Sequence, residues 1–215
     1  MIQFLIDNWE PIWRAFLLTA RLALYSFTIA MVIGIVVAAF RVSPIPPLQR
    51  FGAVYVSIFR NVPLLVIFVL FYFGFPKLGI VFPEFPSAVI VLATYTGAYL
   101  SEAIRSGINA VAVGQAEAAR AIGLGFTQLL GEIVMPQALR TVVAPIGNLF
   151  IANAKNTSIA LAIGVEELTS VSRELGQRQA QIVEALLGAG LLYVVSLLFA
   201  GAVFGWIETR VAIKR

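Results

Sequence analysis

The chain has 215 residues, 60% hydrophobic and 12% charged, with a formal net charge of +4. Soluble domains carry about 25% charged residues, so this composition excludes an ordinary soluble domain and suits one domain of a few membrane spans. Cysteine and histidine are absent, which excludes disulfides, thiolate metal sites and a thiol nucleophile, and removes the commonest general base.

A span needs about 20 mostly apolar residues. Five stretches qualify: residues 13–40, 53–75, 87–104, 141–163 and 185–207. The first follows Asp7 and Glu10 rather than a basic region, and its apolar run is too long for a signal peptide. Residues 41–52, "RVSPIPPLQRFG", form a Pro-rich turn. Residues 76–86 form a short loop with three prolines, and residues 165–184 a polar segment, part helical. The connections 41–52, 105–140 and 208–215 hold eight Lys and Arg, against four on the opposite side. The positive-inside rule puts the first set in the cytoplasm, with the N-terminus outside and the C-terminus inside. No Lys/Arg run or RNA-binding aromatic motif is present, so the positive charge marks span flanks and no nucleic-acid partner is expected.

The connection around "VGQAEAARAIGLGFTQLLGEIVMPQALR", residues 113–140, reads as helix, turn, helix. Glu117 to Ile122 are good helix formers. Gly123 and Gly125 supply a permissive backbone at the turn, and Thr127 is a candidate cap for the second helix. Pro136 suits the first turn of the span that follows. Spacing alone is also compatible with a plain amphipathic loop helix packed under the bundle.

"EAARAIG", then nine residues, then "IVMP" resembles the EAA motif of permease subunits of ABC importers. The matching positions are Glu117, Ala118, Ala119, Gly123, Ile133 and Pro136, with Met135 where that family usually has Leu, a volume-conserving swap. "SIFRNVPLLVIFVLFYFG" is similar to the Arg-Gly-Thr-Pro-Leu-Leu segment of polar amino-acid permeases, Asn61 and Val62 departing from Gly-Thr. "GAYLSEAIRSGI" and "NAKNTSIALAIGVEELT" resemble further segments of that subfamily.

The resemblance implies an all-α membrane domain over residues 1–215, of the type I ABC importer fold with about five spans, in the bacterial cytoplasmic (inner) membrane. Residues 105–140 would be its cytoplasmic coupling loop. The implied partners are a dimer of cytoplasmic ABC ATPase subunits, a second copy of the chain or a similar permease, an extracytoplasmic substrate-binding protein, an amino-acid substrate and membrane lipid. The chain carries no Walker-A pattern, so ATP hydrolysis belongs to a separate chain. No metal, cofactor or catalytic residue is expected. The alternative from the charges alone is a secondary transporter or channel subunit that needs no ATPase.

Ionisable groups within spans default to functional hypotheses. Arg60 and Glu102 are expected to form an intramembrane ion pair, with Arg105, three residues on, competing for Glu102. Lys155, Asn156, Thr157 and Ser158 interrupt an apolar helix, as at transporter sites near the midplane, although such residues also serve as interhelical hydrogen-bond links. The resemblance favours a substrate pathway here, with Asn61, Leu64 and Ser101 at corresponding positions. Relatives for cationic substrates tend to carry Asp where Asn156 stands. With Arg60 and Lys155 also in the spans, the expected substrate is an acidic or neutral polar amino acid: glutamate, aspartate or glutamine. Tyr25, Tyr72, Tyr95, Tyr99 and Phe71 read as packing or interface residues. Gly188, Gly190, Gly201 and Gly205 read as points of close helix contact.

Overall fold

The computed structural model describes residues 1–211. Lys214 and Arg215, counted among the flanking charges, lie outside the described residues. The described residues are helical throughout their length apart from short connections, with no strand among them.

The chain begins with a short helix α1 (Ile2–Asp7). It continues into α2 (Trp9–Val42), whose 34 residues span about 51 Å, more than the roughly 30 Å of a hydrocarbon core. α2 stops where Ser43 turns extended before Pro44, since the residue before proline is steered out of the helical region. α3 (Pro46–Asn61) then starts with proline in its first turn, where the missing N–H costs nothing.

The second expected span, 53–75, is not one straight helix. It breaks at Val62–Pro63: Val62 is extended, and α4 (Leu64–Val69) leaves α3 at 104°. Proline supplies no N–H to a continuing helix and forces its predecessor out of it. After α4 the chain winds through a π-helical turn (Leu70–Gly74) and a 3-10 turn (Phe75–Leu78). Among the described residues four helices are long and apolar enough to span a membrane, five when the bent pair is counted as one broken span.

α5 (Glu84–Asn109) is the most enclosed of these helices. It pairs closely with α2, because a Cβ at Gly34 would stand 2.7 Å from the Leu100 Cβ, and one at Gly97 would stand 2.8 Å from Ile33 Cγ2. Without those methyl carbons the two backbones approach, which is how helices associate where no hydrophobic drive separates them from lipid. Next come α6 (Val113–Ala121), α7 (Phe126–Gln128) and a π-helical stretch (Leu129–Val134) that leads into α8 (Met135–Asn156). At Thr157 the helix tightens to a 3-10 form that runs to Ile163, so the polar run 155–158 does coincide with an interruption. α9 (Leu168–Arg178) occupies the segment expected to be part helical, and α10 (Ile182–Val211) completes the bundle.

The connections sort to two ends. Hydrogen bonds between Asn8 and Gln179 hold the start of α2 near the end of α9, and the side chain of Arg41 reaches Glu102 near the end of α5. The segment 110–134 therefore lies at the same end as the α2–α3 turn, here called the connector end. Of the four α10 glycines, only Gly188 makes a tight approach, against Leu5. Gly201 meets Ile151 in an ordinary contact, and Gly190 and Gly205 face open space.

Asn153 is the polar centre of the bundle. Fully buried, it accepts from the Thr96 hydroxyl on α5 (2.8 Å) and donates to the Ala23 carbonyl (3.1 Å) and the Ser26 hydroxyl (3.0 Å) on α2. Interhelical hydrogen bonds in membranes average about 0.6 kcal/mol, so three of them contribute about 2 kcal/mol. Asn153→Leu is expected to remove that much from the stability in detergent, read as a fall in the thermal midpoint. An unchanged midpoint would contradict the hub.

Candidate functional site

Tyr95, Tyr99 and Glu102 recur at spacings of four and three, so they share one face of α5. Leu149, Ala152, Asn153 and Asn156 do the same on α8. Between these faces lies an open groove of about 240 Å³ lined by Tyr95, Thr96, Tyr99, Leu149, Ala152, Asn153 and Asn156. The two tyrosine hydroxyls hydrogen-bond each other at 3.1 Å. Both tyrosines line this groove, and Tyr95 also packs against the apolar core of Leu64, Phe68 and Leu92, the kind of role expected from sequence. One turn further along α5 is a charge cluster. Arg41 donates to Glu102 Oε2 and Arg105 to Glu102 Oε1. Arg60, from the end of α3, stands 3.9 Å from Oε2, with its guanidinium 5.3 Å from the centre of the Tyr99 ring. The expected Arg60–Glu102 pair exists, but as the longest of three contacts. Arg41, which sequence reading placed in a loop, is a closer partner.

The seven expected pathway residues do not share a surface. Only Asn156 lines the groove. Lys155 and Ser158 face a separate cavity of about 280 Å³ with Thr169, Gly190 and Tyr193. Thr157 and Ser101 are fully buried, and their hydroxyls donate to the carbonyls of Ala154 and Ala98 within their own helices. Leu64 is buried in an apolar core with Phe68 and Leu92. Asn61 is exposed beside the helix break and donates to the Ser57 carbonyl. Burial closes Thr157, Ser101 and Leu64 to a ligand, and of the accessible members Asn156 alone lines the groove.

At the connector end, α6 closes with a Schellman motif. Gly123 N–H donates to the Arg120 carbonyl (3.0 Å) and Leu124 N–H to the Ala119 carbonyl (3.1 Å). Gly123 has φ +86°, a conformation that side chains with a Cβ adopt only under strain. The cap of the second helix is Gly125 and not Thr127: its carbonyl accepts from Leu129 N–H, and its N–H donates to Gln128 Oε1. Ala119 is buried, while Glu117 and Ala118 are exposed and Ile133 and Pro136 are half-buried. Ile122 is 80% exposed and Val113 72%, which puts aliphatic side chains at the outer surface of this segment.

Chain comparison places these features. The description of the family whose model matches residues 30–213 is "Binding-protein-dependent transport system inner membrane component". The chain belongs to this family. It is 34% identical to a probable glutamine ABC transporter permease protein of Bacillus subtilis over 90% of each chain. It is 35% identical to a glutamate transport system permease protein of Corynebacterium efficiens over 94% of each. A crystal structure of an amino acid ABC transporter with histidines matches with a TM-score of 0.91 at 29% identity over 96% of both chains. The fold is thus that of a type I ABC importer permease, in a multi-pass protein of the inner membrane, and the relatives are amino-acid ABC transporter permeases.

Sequence reading missed Glu167. Its side chain is completely buried and caps α9, accepting from Thr169 N–H (2.8 Å), Ser170 N–H (2.7 Å) and the Tyr193 hydroxyl (2.9 Å). An acidic residue just before "LTS" is the available signal, but Glu is a poor cap and drew no attention. Burial pushes its carboxyl above the usual carboxylate range, against the pull of those donors. Its contribution to stability is therefore complete below the unfolded carboxylate value, about pH 4.3, and is lost as pH rises through the folded value. Thermal unfolding from about pH 4 to 7 should show wild type losing stability relative to E167Q as pH rises. Parallel curves would contradict this assignment.

Proposed function

We propose that the chain is the transmembrane subunit of an ATP-driven importer of polar amino acids, acidic or neutral polar, working by alternating access. The observation that carries this reading is the continuity of α5. One helix holds the groove on its face, the arginine–glutamate cluster one turn beyond, and the Schellman turn of α6 just past its end. A push on the connector has a direct path to the groove.

The connector end faces the cytoplasm in this reading, because the excess of Lys and Arg lies there. Exposed Ile122 and Val113 are then apolar side chains in water, which suits insertion into a cleft of a cytoplasmic ATPase subunit. Glu117, Ala118 and Gly123 form that contact, Ala119 packs inward beneath them, and Ile133 and Pro136 lie where the segment runs into α8. ATP hydrolysis is performed by the partner chain.

A second permease copy, or a similar chain, completes the path. α10 is strongly apolar, with a mean hydropathy of 2.2, and little of it is buried, so it suits lipid. α8 is equally uncovered but reaches only 1.2, and exposes Thr141, Asn148 and Lys155 at spacings of seven. Such a stripe is costly against lipid and suits a subunit contact or a water-filled path. An extracytoplasmic binding protein delivers substrate at the opposite end.

Groove chemistry bears on the substrate. Asn156 is neutral, no aspartate is present in the spans, and the neighbouring cluster has three arginines to one glutamate. Those features disfavour a cationic side chain, and the glutamine and glutamate relatives agree with that choice.

Two substitutions test this. At Gly123 an added Cβ meets nothing within 4 Å, so Gly123→Val disturbs the turn without a clash inside the chain. Membrane insertion is expected to be normal, with ATPase association weakened and uptake lost; normal association and uptake would refute the coupling role. Asn156→Asp is expected to reduce stimulation of ATPase activity by glutamate, measured on the reconstituted complex. An unchanged substrate profile would remove Asn156 from the path.

A further inference from the structure

Glu102 has two carboxylate oxygens and three arginines around it. Arg41 occupies Oε2 and Arg105 occupies Oε1. Arg60 retains a contact of 3.9 Å, which is an ion pair but longer than a hydrogen bond. Its side chain is 43% exposed, and its remaining donors have no hydrogen-bond acceptor among the described residues. The buried Nε of Arg105 also lacks an acceptor. The cluster thus holds two positive charges more than it neutralises, within a spanning bundle where uncompensated charge is costly. The excess sits beside the one groove that Asn156 lines, since the Arg60 guanidinium lies against the ring of Tyr99, a wall of that groove.

We propose that Arg60 binds the α-carboxylate of the transported amino acid at the rim of the Tyr95–Tyr99–Asn156 groove. The assignment rests on the reading of that groove as the amino-acid site. A guanidinium presents paired N–H donors that match a carboxylate in two parallel hydrogen bonds. With Arg41 and Arg105 already holding Glu102, Arg60 can turn to an arriving anion without abandoning a buried charge. The α-carboxylate is common to every amino acid, so Arg60 anchors the shared part of the substrate. Asn156, at the far side of the tyrosine pair, is left to read the side chain. This gives Arg60 a role beyond the ion pair expected from sequence.

The test is equilibrium binding of radiolabelled L-glutamine and L-glutamate to the detergent-solubilised permease–ATPase complex without binding protein. Arg60→Gln is expected to weaken both ligands by the same factor, at least about tenfold, the scale of a lost charge-assisted hydrogen bond. Arg60→Lys is expected to recover part of it, with the thermal midpoints of both variants near wild type. Weakening of glutamate alone would mean that Arg60 reads a side-chain carboxylate, and unchanged binding would mean that it touches no substrate; either overturns the assignment. If the wild-type complex binds neither ligand, the groove reading itself fails. Should Arg60→Gln not assemble, the α-amide of L-glutamine on the wild-type complex decides the matter: binding at least about tenfold weaker supports the assignment, and equal binding overturns it.

Discussion

The carboxylate of Glu102 is the point on which the mechanics of this bundle turn. It sits two turns before the end of α5 and is held from α2 by Arg41 and from its own helix by Arg105, with Arg60 approaching from α3. A charge at membrane depth that loses its partners is expensive, because neither lipid nor the surrounding side chains replace them. The three helices are therefore tied where the bundle gives way to the connector.

Satisfaction of polar groups also explains why the groove is a groove. Asn153 spends its amide on α2 and α5, which fixes the floor. Gly34 and Gly97 bring α2 and α5 so close that they behave as one slab. The facing wall is α8, which Asn153 ties to that slab; it is otherwise little covered, and its winding changes from α to 3-10 at Thr157. The break at Val62–Pro63 frees the end of α3 from helix α4, and that is what lets Arg60 stand over Tyr99.

Much of this was legible in the sequence. Hydropathy located the spans, because lipid demands long apolar helices. The "EAARAIG" segment disclosed its turn, because only glycine tolerates φ +86° without strain. The pathway residues were less legible for a geometric reason. Lys155 to Ser158 are consecutive, and consecutive residues on a helix point about 100° apart. A polar run read as one site is thus distributed over a groove, a core and a second cavity. Arg41 was misjudged because its backbone position at a helix end says nothing of how far its side chain reaches back. Asn153 carries no local signature, since its partners lie on other helices and are brought together only by the fold, and the same is true of the contact of Glu167 with Tyr193.

Alternating access is the central claim, and the absence of native cysteine makes it directly measurable. A single cysteine in place of Ala152, on the groove wall, can be labelled in proteoliposomes by a membrane-impermeant maleimide from either side. With the ATPase and binding protein present, labelling should come from the connector side without nucleotide and from the opposite side when ATP is bound but not hydrolysed. Labelling from the same side in both conditions would contradict the proposed mechanism.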